Sequence, residues 1–422
     1  MNQLKLFLPC AAGVEDFLAE EVHQLTNLQG DDLLVLRGGV LVRASWRDAM
    51  LLNLHSRLAQ RVLIELSNTE YRNEQHLYEA ASQVAWEIWF TPKQSFKIEV
   101  TAQHSPLTSL NFAALKIKDA VADRFRHKHG VRPDVDTRWP GVRIYAHLTT
   151  DRATLYMDTS GEPLFKRGWR EDKGEAPLKE TLAAAMLAAS EWDGETPLYD
   201  PCCGSGTIAI EAAQIACNIA AGSRRRFAFE KLLPFQPHVW DSLLSQARAA
   251  EHKPRTEIFG SDVAHRMVDF AMRNAERAGV ADCVQFRGGD ALQRQPPTAS
   301  GVLMINPPYG DRIAVAGVAR EGRNAGRDAG RGAAAPVQVV SREQAQTDDG
   351  GDFFPQLATH WKKNYAGWTA WVLTPNLKLP SRMRLKESRR VPMWNGPIEC
   401  RLFRFDMVAG SARRPADKTD QG

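Results

Sequence analysis

Apolar and polar positions follow two regimes along this chain, divided near residue 197. Before it, short segments of both periods are mixed. Residues 4–8 read as a strand, and residues 14–25, after Gly13, carry apolar side chains at helical spacing. Residues 33–36 and 40–42 flank Gly38-Gly39, which predicts a hairpin. Residues 96–101 alternate as a half-buried strand does. Leu110–His129 reads as a long helix stopped by Gly130, and residues 142–148 and 154–157 as a hairpin around Asp151-Arg152. An amphipathic helix is expected from residue 178 to about 190.

Beyond residue 197, strand and helix patterns alternate. Strands are expected at 198–200, 257–260, 284–286, 302–305 and 368–373, with helices at 207–221 and 264–278. That alternation predicts a parallel, doubly wound sheet with helices on both faces. It ends differently, with residues 390–394 and 398–405 flanking Asn395-Gly396, a hairpin signal that places an antiparallel pair at the end of the sheet. Residues 314–352 are rich in Ala, Gly and Arg without a periodic apolar face, and predict a disordered insertion whose arginines serve a solvated tether rather than an RNA contact. The tail from Ser411 is polar and expected to be disordered. The expected division is 1–160 for a mixed α/β region, 161–410 for the doubly wound domain and 411–422 for the tail.

Composition narrows the class. A chain of 422 residues implies two or three domains. Six cysteines with no CxxC spacing, two of them adjacent at Cys202-Cys203, read as reduced thiols and point to the cytoplasm. The N-terminus lacks a signal-peptide apolar core, and no apolar run approaches the roughly 18 residues that span a bilayer. Net charge is only +4, so any nucleic-acid reading rests on local clusters.

Two motifs carry the candidate chemistry. The first is Asp200-Pro201-Cys202-Cys203-Gly204-Ser205-Gly206-Thr207, a glycine-rich turn between a strand and a helix. Gly204 and Gly206 allow positive φ and close approach of backbone to a ligand, and the helix opening at Thr207 turns N–H groups toward it. A dinucleotide fingerprint would need a third glycine where Ala209 stands, and a phosphate loop would need Gly-Lys-Ser/Thr. Cys202 and Ser205 fall within the same cradle. Asp262, at the end of the second strand, can accept both hydroxyls of a ribose or cap the following helix. Asp290, after the third strand, can accept from an adenine amine or shape a turn.

The second motif is Asn306-Pro307-Pro308-Tyr309, after the fourth strand. An exocyclic base amine is a poor nucleophile because its lone pair is delocalised into the ring. The Asn306 side-chain oxygen and the Pro307 carbonyl can hold its hydrogens and turn the lone pair outward. Pro307 and Pro308 fix the backbone in advance, and Tyr309 offers a ring for the base to stack on. No His/Cys/Asp cluster has metal-ligand spacing, so no metal is expected. Together the two motifs have the layout of an S-adenosylmethionine-dependent methyltransferase acting on a planar base nitrogen, which must be unpaired or flipped out to reach such a pocket. Basic clusters that could meet phosphates are Lys116, Lys118, Arg124, Arg126 and Lys128 on the long helix, Lys166, Arg167 and Arg170, then 224–226, and a set from Arg382 to Arg390.

At these residues the chain resembles the THUMP-domain class of RNA guanine-N2 methyltransferases, in its bacterial branch acting on 23S ribosomal RNA. Residues 7–21 are similar to that family's ferredoxin-like opening, residues from about 45 to 157 to the THUMP domain, and Asp158 through Arg170 to the junction into the catalytic domain. The resemblance implies a Rossmann-like class I methyltransferase fold, S-adenosylmethionine as cofactor, and 23S rRNA or a pre-50S particle as partner, with no membrane involved. It further implies that Asp200, Gly204 and Gly206 hold the cofactor's amino-acid end, Asp262 its ribose and Asp290 its adenine, with Asn306, Pro307 and Tyr309 in the catalytic loop. Some family members carry a second, fused domain that makes 7-methylguanosine, which is not expected here. The insertion after Arg312 departs from the family pattern. A tRNA guanine-N2 methyltransferase, a DNA adenine-N6 methyltransferase with the same Asn-Pro-Pro-Tyr loop, and a non-catalytic RNA-binding assembly factor are the alternatives.

Overall fold

The structure, a computed structural model, describes residues 3–174, 177–307 and 353–408. Its first half is one seven-stranded sheet. The elements run β1 (Leu4–Pro9), α1 (Glu15–Thr26), β2 (Leu33–Leu36), β3 (Gly39–Ala44), α2 (Trp46–His55), β4 (Leu63–Glu70), α3 (Glu74–Gln83), β5 (Phe96–Ala102), α4 (Leu110–His129), β6 (Val142–Leu148) and β7 (Arg152–Asp158). The strand order is β2-β3-β1-β4-β7-β6-β5. β4 lies between β1 and β7, antiparallel to both, so the ferredoxin-like opening and the THUMP-like region share a single sheet.

The second half runs α5 (Glu180–Ala189), β8 (Leu198–Asp200), α6 (Thr207–Ala216), α7 (Pro237–Ala249), β9 (Ile258–Asp262), α8 (His265–Ala278), β10 (Val284–Gly288), β11 (Gly301–Ile305), α9 (Phe353–Asn364), β12 (Trp368–Thr374), α10 (Leu379–Met383), β13 (Arg389–Asn395) and β14 (Ile398–Asp406). The order β10-β9-β8-β11-β12-β14-β13 is parallel through β12, with β14 inserted antiparallel beside it. The winding reverses between β8 and β11, and a crevice opens outside the strand carboxyl ends at such a point. The doubly wound sheet closed by an antiparallel hairpin is thus present. Residues 308–352 and the tail from 409, including the expected insertion and the expected tail, lie outside the described residues.

Several boundaries move for physical reasons. The hairpin turns are Arg37-Gly38 and Gly396-Pro397, because Gly39 and Asn395 remain paired in their strands and the positive φ falls on Gly38 (+82°) and Gly396 (+63°). α6 stops at Ala216 rather than 221, where Asn218 turns to φ +53°. α5 is not amphipathic: nine of its ten residues are buried, because it packs between α6 of the second half and α1 of the first. A helix apolar on all sides is one enclosed on all sides. One continuous apolar core therefore passes from Leu6 and Val42 through Ala184 and Ile210 to Met304.

Polar groups lock the same boundary. Glu211 of α6, fully buried, accepts from Arg167 Nε at 3.0 Å and from Arg57 Nη1 at 3.3 Å. Arg167 Nη2 also donates to the Arg57 carbonyl at 2.8 Å, and the Arg57 guanidinium to the Ile219 carbonyl. Burial pushes the Arg57 guanidinium pKa down, and the Glu211 charge opposes that shift. Arg225, after α6, donates to the carbonyls of Ser160, Glu162, Pro163 and Lys166, and so holds the junction segment along its length. Gly168 within that segment has φ +95°, and a Cβ there would lie 2.4 Å from the Arg224 carbonyl oxygen.

Removing Arg167 strands a buried carboxylate on a single partner. Arg167→Ala should cost about 3–5 kcal/mol in urea unfolding. Adding Glu211→Gln should recover part of that loss, because the amide removes the carboxylate that Arg167 had compensated and still accepts from Arg57; a double variant as unstable as the sum of the singles contradicts this account.

Candidate active site

The glycine turn forms at the carboxyl end of β8. Asp200 Oδ1 accepts the Cys202 N–H at 3.1 Å, Cys203 N–H donates to the Ser261 carbonyl at 2.9 Å, and Gly206 N–H to the Cys203 carbonyl at 2.8 Å. Gly204 and Gly206 take φ of +52° and +89°. Their surroundings differ. A Cβ on Gly206 would lie 2.9 Å from Ala271 Cβ and 3.1 Å from Phe286 Cζ, so this glycine serves close packing against α8 and β10. A Cβ on Gly204 would meet nothing within 4 Å, so here bare backbone borders open space.

Three carboxylates converge on the same rim, at the ends of the adjacent strands β8, β9 and just beyond β10. Asp262 Oδ2 accepts the Gly204 N–H at 2.9 Å and its Oδ1 the Ala264 N–H at 2.9 Å. It thus braces the glycine turn and leads into α8, and each oxygen keeps a further lone pair for a ligand hydroxyl. Asp290 Oδ1 accepts the Leu292 N–H at 2.9 Å, a turn role that leaves Oδ2 for a ligand. The Cys202 thiol reports the cluster: burial raises its pKa well above the usual range, and Asp200, Asp262 and Asp290 raise it further.

Asp200 is buried, and burial pushes its carboxyl up to about 8, with the Asp262 charge adding to the rise and the Cys202 N–H opposing it. No cation of the described residues is among the groups that act on it. A ligand bearing a positive group and vicinal hydroxyls fits this donor set.

Side chains around the turn take roles that were not expected of them, Arg170 having been expected to face a phosphate. Arg170 holds the turn from outside: its guanidinium donates to Ser205 Oγ at 3.1 Å, to Thr207 Oγ1 at 2.6 Å, to Glu180 Oε1 at 2.7 Å and to the Leu178 carbonyl at 3.2 Å. Asn274 of α8, fully buried, donates to the Ser205 carbonyl at 3.1 Å. The buried Ser205 and Thr207 hydroxyls are therefore turned toward Arg170, and what they offer a ligand is backbone at the start of α6. The contacts to Ser205 and Thr207 join residues 35 or more apart in sequence, so no local pattern announces them.

The expected basic footprint separates. Arg167 is 1% exposed in its pair with Glu211, and Arg170 is committed to the glycine turn, so neither meets a phosphate. Arg225 is spent on carbonyls, and Arg124 forms a two-pronged pair with Glu87 at 2.7 Å, which holds that carboxyl down to about 2. Lys166 is exposed and pairs with Glu162. Lys116, Lys118 and Arg126 lie along α4, partly or fully exposed, with Lys118 against Asp119 and Arg126 against Asp123.

Asn306 and Pro307 follow β11, which pairs in parallel with β8 across the point where the winding reverses, so they leave the sheet at the same carboxyl edge as the glycine turn. Pro308 and Tyr309 lie outside the described residues. Among the described residues no cluster of His, Cys, Asp or Glu could hold a metal ion, and no helix is long and apolar enough to cross a membrane.

Known proteins share this organisation. Residues 5–63 match the RlmL ferredoxin-like domain, residues 71–158 the THUMP domain, and residues 167–321 the RMKL-like methyltransferase domain. The chain is 36% identical over 424 residues to the ribosomal RNA large subunit methyltransferase K/L of Shewanella amazonensis, covering 99% of this chain and 55% of that protein. It is 34% identical to the protein of the same name from Psychromonas ingrahamii, covering 98% and 51%. The chain thus spans about half the length of these curated relatives. The crystal structure of SMU.472 complexed with SAH superposes with a TM-score of 0.81 at 26% identity, covering 98% of this chain and all of that one.

Two outcomes follow from this geometry. Gly206→Ala should destabilise the chain by about 1–3 kcal/mol in urea unfolding, from the φ and the contact with Ala271. The folded chain holds on Asp200 a proton that the unfolded chain releases near pH 4. This group's stabilisation is therefore complete at acid pH and falls as pH rises toward about 8. Asp200→Asn should flatten that decline in melting temperature measured against pH; an unchanged profile would show that Asp200 titrates normally.

Proposed function

Because the chain belongs to the THUMP-bearing, RMKL-like methyltransferases, we propose that it transfers a methyl group from S-adenosylmethionine to the exocyclic N2 of a guanosine in 23S ribosomal RNA, free or in an assembling large-subunit particle, in the cytoplasm. The observation that carries this reading is the buried Asp200 carboxyl, on which no cation of the described residues acts, beside the open backbone of Gly204. The cofactor brings an ammonium on its amino-acid end and, when bound, supplies the methyl group on an activated sulfonium. Residues 1–160 are on this reading the RNA-engaging half and 161–410 the catalytic half.

Each residue then has a task its surroundings permit. Asp200 receives the cofactor's ammonium, a charge-assisted pair that draws the carboxylate to its ionised form. Asp262 accepts the ribose hydroxyls on the lone pairs that Gly204 and Ala264 leave, and Asp290 accepts from the adenine amine. Asn306 Oδ1 and the Pro307 carbonyl hold the two hydrogens of the guanine amine, so that its lone pair points at the methyl group. Pro308 and Tyr309 complete the motif in sequence, the tyrosine as stacking surface for an unpaired base. Positioning of nucleophile and leaving group does most of the work, since the sulfonium needs no further activation. The large-subunit ribosomal RNA relatives and the THUMP match support 23S rRNA as substrate.

The test is methyl transfer from labelled cofactor to protein-free 23S rRNA from cells lacking this gene, read as N2-methylguanosine by nucleoside mass spectrometry, with bulk tRNA in parallel. Asn306→Ala should abolish transfer while cofactor affinity stays within about threefold, since only an acceptor for the amine is lost. Transfer at the parent rate would remove Asn306 from the mechanism, and product in tRNA alone would overturn the substrate.

A further inference from the structure

Trp139 is 84% exposed, more than any other large apolar side chain among the described residues. Burying such a ring against a partner is where its free energy lies, and here none of the described residues covers it. Its loop is nonetheless built. The chain leaves α4 at Gly130 (φ +73°) and runs beside the start of the edge strand β5, with the Phe96 N–H donating to the Asp134 carbonyl at 2.9 Å and the Asp136 N–H to the Phe96 carbonyl at 3.1 Å. Asp136 Oδ1 then accepts both the Arg138 N–H at 2.9 Å and the Trp139 N–H at 3.0 Å. Pro140 follows, and the Gly141 N–H is tied to Ser95 Oγ at 3.1 Å. The backbone that carries the ring is thus fixed on both sides before any partner arrives.

What surrounds the ring selects the partner. Arg132 and Arg138 are exposed on the same loop, and the last turn of α4 just before it presents Arg126, His127, Lys128 and His129 to solvent. From Arg126 through Trp139 the chain carries four Lys/Arg against two Asp, one of which is turned onto backbone N–H groups. A protein interface gathers apolar side chains at its centre and excludes charge from it. This loop exposes one aromatic ring, with only Val131 and Val135 as further exposed apolar side chains, in a stretch where Lys and Arg outnumber Asp; that combination instead complements a polyanion carrying flat apolar rings. Paired bases are already stacked within a duplex, so only an unpaired nucleotide can lie on Trp139.

We propose that the loop of residues 131–139 is a docking surface for single-stranded RNA, in which an unpaired base stacks on Trp139 while Arg132, Arg138 and the end of α4 take the flanking phosphates. This rests on the reading of the chain as an RNA methyltransferase, and adds to it a surface outside the crevice that engages an unpaired stretch of the substrate.

The experiment compares the full chain with Trp139→Ala and Trp139→Phe, titrated against a labelled unstructured RNA oligonucleotide and against the same strand in a duplex. Melting temperature and cofactor affinity serve as controls. Trp139→Ala should weaken single-strand binding roughly 5- to 100-fold, the range for loss of one base–aromatic stack. Trp139→Phe should retain binding within about threefold, and the duplex affinity of Trp139→Ala should match the parent's. Single-strand affinity equal to the parent's in Trp139→Ala, an equal loss on strand and duplex, or a parent that binds no RNA would each overturn the surface. The 23S rRNA assay separates the two readings. A parent that binds RNA through Trp139 but transfers no methyl group leaves the surface standing and removes the enzymatic reading. A parent that methylates, beside a Trp139→Ala protein that binds and methylates equally well, does the reverse.

Discussion

Glu211 is the group on which the rest of the structure turns. It sits on α6, the helix that opens from the glycine turn, and is fully enclosed among apolar residues. A carboxylate there is tolerable only while Arg167 from the junction segment and Arg57 from the first half reach it. Docking of the two halves and placement of α6 are therefore one requirement. If the first half withdrew, Glu211 would keep Arg167 but lose Arg57, beside the helix that opens from the glycine turn.

The junction segment extends that coupling to the turn itself. Its carbonyls are held by Arg225, Arg167 reaches inward to Glu211, and three residues on, Arg170 reaches the hydroxyls of Ser205 and Thr207. Two arginines that look like a basic patch in sequence are thus internal struts. The guanidinium suits this because its planar donors can satisfy a carboxylate, hydroxyls and carbonyls at once. The contacts that face RNA on the proposed reading lie elsewhere, on α4 and on the loop after it, where cations are exposed and an aromatic ring stands among them.

Much of the fold was legible because local chemistry dictated it. α4 runs from Leu110 to His129 and stops at Gly130, as its pattern predicts, and Ser109 caps its start. The strands at 198–200 and 302–305 and the closing hairpin carry equally local signals. The elements α2, β4, α3, α7, α9 and α10 had no anticipated place, and β4 in particular gains its meaning only from pairing with β1 and β7, far away on both sides in sequence. α5 was misread as amphipathic because its faces are decided by what encloses it. Trp139 drew no notice, since a single tryptophan in a loop reads as buried until its exposure is known.

By itself the sequence determined the two motifs, the order of strands and helices that carries them, and the glycines the turn requires, because these depend on backbone sterics and on side chains near one another in the chain. Only the tertiary structure decided that Asp200, Asp262 and Asp290 share one rim, that Asp200 is buried enough to hold its proton to about pH 8, and which arginines are struts and which are surface. Burial and electrostatic environment belong to the packed assembly of distant segments, and a residue's charge changes its meaning with its distance from water.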